Sequence, residues 1–358
     1  MTKQFNEIVT LIMQSRNNAQ RKVNAELVNL YWQVGEYIHG KIRNSIWGDG
    51  TVQELADFIK KNHPELKGFN KRGLYRMRQF YEMYTSSKFI MEYDNSYFAD
   101  NKRDVIVSTP LTQFNVTNIY HTILVKIGWS HHLLIMSGDR TEKAREFYLR
   151  LCTKENYSYR ELERQVNSCL FERTMLGNEA MQPVVKEKHP DAVNVFKDRY
   201  VFEFLNLPEP HSESDLQKAL LQRMKMFILE LGGDFCFVSQ EHKLSVGRSH
   251  FYIDLLFYHR ELQCLVAFEL KTTEFQPEYI GKLNFYLEAL DRDIKKKHEN
   301  PSVGILLCAG KDHEVVEYAI SRTLSPTVIS EYQTILPDKQ LLQQKLHELI
   351  ENETLNRE

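Results

Sequence analysis

No stretch of this sequence approaches the roughly eighteen consecutive apolar residues that a membrane-spanning helix needs, so a membrane protein is not expected. The opening residues, MTKQFNEIVTLIMQSRNNAQ, form an amphipathic pattern without the compact apolar block and cleavage site of a secretory signal, and a cytoplasmic protein is expected. Cysteine is scarce: Cys152, Cys169, Cys236, Cys264 and Cys308 are odd in number, widely spaced and never C-x-x-C. That excludes a disulfide framework and a cysteine zinc site, and the five are expected to be core thiols. His131 and His132 are adjacent, which turns their imidazoles in different directions on a helix or a strand, so no metal is expected there. A glycine-rich phosphate loop, an internal repeat and a low-complexity tract are all missing. Nucleotide hydrolysis and a nucleotide cofactor therefore have no support.

What is present is an ordinary globular composition, 358 residues with 42% hydrophobic and 26% charged side chains, enough for two domains. The net charge of −2 hides an asymmetry. Residues 1–173 hold 25 Lys/Arg against 19 Asp/Glu, an excess of +6, while the remainder holds 21 against 29, or −8. A basic front half suits contact with nucleic acid.

The first 84 residues carry helical periodicity, with Ile8, Leu11 and Ile12 and then Leu27, Leu30, Tyr31, Val34, Tyr37 and Ile38 at three- and four-residue steps. After the glycines of WGDG a further helix is predicted over TVQELADFIKKN, and Asn70 is placed to cap KRGLYRMRQFYEMY. These two helices outline a helix-turn-helix-like unit whose second member offers Lys71, Arg72, Arg76 and Arg78 to DNA phosphates. Residues 85–128 lack a period, apart from a short strand predicted at DVIVS. Helices return at EKAREFYLRLC and SYRELERQVNSCLFER, where Ser158 and Glu161 form a capping box. From about residue 200 the elements alternate: one helix over SESDLQKALLQRMKMFILEL stopped by Gly232 and Gly233, three strands, a helix, a buried strand, a helix and a short strand.

The stretch FYIDLLFYHRELQCLVAFELK, residues 251–271, reads as two apolar strands joined by a turn at Glu261 and Leu262, so that paired positions sum to 523 and Asp254 faces Glu269. Opposed side chains lie roughly 4.5–5.5 Å apart at Cβ, and Lys271 falls on Glu269's face by the two-residue period. Phe251, Ile253, Leu255, Phe257, Val266, Phe268 and Leu270 are assigned to the other, core-facing side. Two carboxylates about 5 Å apart repel by roughly 3 kcal/mol at an effective dielectric near 20, and one lysine offsets only part of that. A hard divalent cation completes such a site, because carboxylate oxygens are its preferred ligands. The competing reading is a cross-strand Asp254–Lys271 salt bridge with Glu269 turned outward.

With its acids inside apolar strands and flanked by helices, this order of elements resembles the PD-(D/E)xK nuclease superfamily, and more narrowly the YhcG-type nucleases of bacteria. PEYIGKLNFYLEALD, SVGILLCAGKDHEVVEYA, VNLYWQVGEYI, GFNKRGLYRMRQFY, WSHHLLI and REFYLRLC…YSYRELERQV carry the likeness as well, over most of residues 5–335. The resemblance implies an α/β C-terminal domain of restriction-endonuclease type, an αβββαβ core with a mixed sheet, behind a mainly α-helical N-terminal domain. It implies a Mg²⁺-dependent DNA endonuclease, Mn²⁺ being a possible substitute, with Asp254 and Glu269 as metal ligands aided by the Leu270 carbonyl, and Lys271 as the catalytic lysine. An acid on the preceding helix is also expected; Glu213, Asp215 and Glu230 stand there, with Asp215 the candidate ligand. Gln217 occupies a place where Glu is expected. Gln240 and Glu241 are possible neighbours of the site, Lys282 is a candidate phosphate contact, and Lys295, Lys296 and Lys297 are a further basic run. The domains are expected at 1–173, 200–340 and a helical tail at 341–358, with a linker at 174–199. DNA is the expected partner and a homodimer is expected for double-strand scission. A DNA-binding or assembly protein that keeps the fold without turnover is the alternative, and no aromatic single-strand platform suggests RNA.

Overall fold

The computed structural model describes residues 2–85, 87, 119, 122–177, 183–189, 195–321, 323 and 325–355. The strand predicted at DVIVS lies outside them. The chain divides into two compact units, Met1–Glu163 and Arg164–Glu358.

The first unit is helical. Its elements are α1 (Thr2–Arg43), α2 (Asp49–Asn62), α3 (Lys71–Tyr84), a 3-10 turn at Ile123–Lys126, α4 (Trp129–Met136) and α5 (Glu142–Glu155). α6 (Tyr159–Asn167) runs across the division. Leu74, Met77, Phe80 and Tyr84 form the buried stripe of α3 at three- and four-residue steps. Gly35 lets α1 meet α3, since a Cβ there would come within 2.1 Å of the Met77 carbonyl oxygen. Asn70 caps α3 as predicted, its Oδ1 accepting the Gly73 N–H at 2.8 Å. The connection from α2 to α3 takes residues 63–70, longer than the three or four residues of a helix-turn-helix. The Ser158–Glu161 capping box is formed, with the Ser158 N–H on Glu161 Oε2 at 2.8 Å and the Glu161 N–H on Ser158 Oγ at 3.4 Å.

The second unit adds α7 (Leu170–Gly177), α8 (Pro183–Lys188), β1 (Arg199–Val201), α9 (Glu213–Gln222), α10 (Met224–Leu231), β2 (Phe235–Val246), β3 (Ser249–His259), β4 (Cys264–Leu270), α11 (Glu278–Ala289), β5 (Val303–Cys308), α12 (His313–Ile320), β6 (Thr327–Gln333) and α13 (Lys339–Leu355). The strands form one mixed sheet in the order β1-β6-β5-β4-β3-β2. β1, β6, β5 and β4 are mutually parallel, and β4-β3 and β3-β2 antiparallel. One sheet face packs on α9 and α10 through Leu216, Leu220, Phe227 and Leu231. The other packs on α11 through Ile280, Leu283, Tyr286 and Leu287. The single helix predicted over residues 212–231 is broken at Arg223, although no glycine or proline marks the break. Within the expected linker, Val185 of α8 and Phe196 are buried in the α9-side core.

Four of the five cysteines are buried as expected; Cys236 is exposed. His131 and His132 take separate backbone partners, the carbonyls of Tyr157 and Leu124. Among the described residues no helix is long and apolar enough to cross a membrane.

Candidate active site

The hairpin register agrees with the predicted sum: Leu255 pairs with Phe268, Leu256 with Ala267 and His259 with Cys264. The ladder then stops one step short of Asp254 and Glu269. Beyond that point β4 continues to pair with β5, Glu269 opposite Leu306 and Leu270 opposite Leu307. The Asp254 carboxylate takes over where β3 and β4 part, its Oδ2 accepting the Leu270 N–H at 2.8 Å.

The alternation of faces changes at the same place. Leu255 and Phe257 join the α9-side core as expected, but Phe251 and Ile253 pack on the α11 side, the face that Leu256 also supplies. The assignment of Phe251 and Ile253 to one surface with Leu255 is thereby corrected. On β2 the neighbouring Glu241 has φ 43°, a left-handed conformation that interrupts the regular pleat.

Glu269 sits in an inner strand with a side chain only 1% exposed. Two ammonium groups reach its Oε1, Lys271 Nζ at 3.0 Å and Lys282 Nζ at 2.5 Å. Its Oε2 is buried without a hydrogen-bond partner among the described residues. Lys271 is held further by the Leu270 carbonyl at 2.9 Å and by both oxygens of Glu213 at 3.2 and 3.1 Å. Neither element of the competing reading is present, since Lys271 pairs with Glu269 and Glu213 and Glu269 points inward.

Burial first, and then the neighbouring Glu269 charge, push the Asp254 carboxyl up to about 6. Burial alone would lower the two lysines; Glu269, joined by Glu213 at Lys271, raises both above the ordinary lysine value. The acids are thus held together at an electrostatic cost, and the lysines relieve it in part. Buried carboxylate oxygens, one without a partner, suit a hard divalent cation. Among the described residues no group of three or more His, Cys, Asp or Glu is placed to hold a metal ion.

The remaining candidates are dispersed. Asp215 is committed to the start of α9, accepting the Ser212 N–H at 3.1 Å and the Ser212 hydroxyl at 2.7 Å in a capping box. Ser212, being the cap, leaves Glu213 in the first turn to meet Lys271. Gln217, one turn further, donates to the Asp254 backbone carbonyl at 3.0 Å, which a carboxylate at that position could not do. Glu230 lies in a separate buried network, with Arg164 and Arg173 each at 2.9 Å and Lys197 at 3.8 Å. Gln240 and Glu241 are exposed. Lys282 lies inside α11 and not at its start, and reaches Glu269. In the first unit Arg72 is exposed, Arg76 half-buried, and Arg78 pairs with Glu82 at 3.0 Å.

Residues 193–347 match the YhcG PDDEXK nuclease domain and residues 7–173 the DUF1016 N-terminal domain. The chain is 30% identical over 350 residues to "Putative nuclease YhcG" of Escherichia coli (strain K12), covering 95% of this chain and 92% of that protein. The chain belongs to the YhcG family. Its second unit is a PDDEXK nuclease domain with a six-stranded mixed sheet, behind a helical N-terminal region. Solved structures with some likeness include a repair endonuclease from Pyrococcus abyssi at 16% identity and EndoMS in a complex with double-stranded DNA at 17%, each with a TM-score of 0.24. They match 37% of this YhcG-family chain and about half of their own, 50% and 49%, a likeness too slight to bear on the site.

The acid and lysine spacing was readable in the strands. Glu213 and Gln217 were noted on the preceding helix, but their contacts with Lys271 and with the Asp254 carbonyl, and the grip of Lys282 on Glu269, were not foreseen. The only signal for the first two was their place on the helix before the strands.

Proposed function

We propose that this YhcG-family chain is a divalent-metal-dependent DNA endonuclease, using Mg²⁺ or Mn²⁺, with its site at Asp254, Glu269 and Lys271. The observation that carries this reading is Glu269: a nearly inaccessible carboxylate in an inner strand, one oxygen unpartnered, with Asp254 and Lys271 beside it. Burying two acids together is unfavourable unless a cation is part of the design.

Asp254 and Glu269 would hold the ion. When bound, Mg²⁺ or Mn²⁺ supplies Lewis-acid stabilisation of the charge that builds on a phosphodiester during hydrolysis. The Leu270 N–H holds Asp254 in place, and Gln217 fixes the backbone of the same residue. Lys271, oriented by Glu213 and the Leu270 carbonyl, presents an ammonium that orients the attacking water and steadies the developing phosphorane charge. Arg72 and Arg76 on α3 are phosphate contacts in this reading, while Arg78 is tied to Glu82.

The test is incubation of the full chain with supercoiled, branched and single-stranded DNA, with and without Mg²⁺. Metal-dependent strand cleavage is expected from the wild type, and none from Asp254→Ala or Lys271→Ala, whose circular dichroism stays native. Equal cleavage by both variants defeats the assignment.

A further inference from the structure

Two lysines share one oxygen of Glu269, and they are held very differently. Lys271 is enclosed by Glu269, Glu213 and the Leu270 carbonyl. Lys282 approaches from α11, has its side chain 48% exposed, and touches Glu269 as its only carboxylate among the described residues. Its ammonium also lies 5.4 Å from the centre of the buried Tyr286 ring, one helical turn on, while the exposed half of the side chain keeps contact with water.

We propose that Lys282 is an exchangeable counter-ion: it neutralises Glu269 in the metal-free protein, yields that carboxylate when a divalent cation enters, and turns its ammonium to a substrate phosphate. This rests on the metal-site reading of Asp254 and Glu269. Charge balance is the argument. Asp254 and Glu269 carry two negative charges, and Lys271 is already shared with Glu213. A divalent ion added beside both lysines would leave surplus positive charge around an oxygen that Lys282 already covers. One cation must give way, and Lys282 has the single carboxylate partner and the path to water. Displaced, it still hangs over the same site on four methylenes, within reach of the phosphate that the site would hold. Linkage then makes the ion and the phosphate help each other, because each favours the state in which Lys282 has let go.

The experiment is calorimetric titration of Mn²⁺ into the full-length wild type and the Lys282→Met, Lys282→Arg and Glu269→Gln variants without DNA, with thermal melting as a check on folding. Removing the competing charge in Lys282→Met is expected to tighten Mn²⁺ binding roughly tenfold, the scale on which neighbours of a metal ligand act. Lys282→Arg restores the wild-type affinity, and Glu269→Gln does not bind. A nuclease-resistant phosphorothioate duplex, followed by anisotropy with Mn²⁺ and with EDTA, should show metal-enhanced binding in the wild type that shrinks in Lys282→Met. If wild-type Mn²⁺ binding is intact and Lys282→Met binds no more tightly, the role of Lys282 is overturned and the metal site stands. If no protein binds Mn²⁺, the metal-site reading falls and this inference with it.

Discussion

Glu230 and Glu269 are both buried carboxylates in the second unit, and they are built to opposite ends. Glu230 is fully enclosed, yet both oxygens are matched: Arg164 donates to Oε2 and Arg173 to Oε1, each at 2.9 Å, and the Val201 N–H adds a bond to Oε1 at 3.1 Å. Lys197 stands at 3.8 Å. Burial opposes its ionisation, but Lys197, Arg173 and Arg164 prevail and hold it down at about 2. Glu269 has one oxygen crowded by two lysines, the other unpartnered, and a second acid pushed up beside it. A complete shell marks a carboxylate that fastens elements together; an incomplete one beside a like charge marks a place prepared for something else.

The widest separation between the two should come from activity. Glu269→Gln is expected to lower metal-dependent cleavage by about a thousandfold or more while leaving a cooperative unfolding transition, as measured by single-turnover assays and urea titration. Glu230→Gln should do the reverse. Leaving Arg164 and Arg173 buried without their counter-charge costs about 3–5 kcal/mol in urea denaturation, and the Mn²⁺ affinity of the folded fraction stays unchanged.

Acid sharpens the contrast. Because the Glu230 carboxyl is depressed from 4.5 to about 2, its contribution to stability is present above pH 4.5 and is lost as pH falls toward about 2. The difference in urea midpoint between wild type and Glu230→Gln should therefore close over that window. The smallest effect is expected at Asp254, whose carboxyl is raised from 3.8 to about 6. A raised acid costs stability as pH climbs from 3.8 through about 6, so Asp254→Asn should stabilise the metal-free protein at neutral pH by at most about 3 kcal/mol while losing cleavage. A destabilised Asp254→Asn in urea would break the comparison.

Part of this was legible in the chain. The pairing of Leu255 with Phe268 follows from two apolar runs and a tight turn, which fix register before any tertiary contact is known. The caps at Asn70 and Ser158 are short-range hydrogen bonds and equally readable. The shift of Phe251 and Ile253 to the α11 side was not, because it depends on a break in the pleat that no residue type announces. Nor was the meeting of Lys271 with Glu213, 58 positions apart, or of Gln217 with Asp254, 37 apart, since both need the helix docked on the sheet. The compact units divide at Glu163, while the match to the DUF1016 N-terminal domain ends at 173, where the domain boundary is expected. Arg164 and Arg173 look like the end of a helical domain in sequence, and their guanidinium groups belong to Glu230.

The open edge of the sheet carries its own irregularity. β2 is the terminal strand, with Phe237 and Val238 exposed, and its register slips between Phe237 and Ser239. An incoming strand would meet that slip as a missing rung and a local twist, and so would lose the unbroken ladder that fibril-like stacking requires. The irregularity works against continuous strand stacking along this exposed rim.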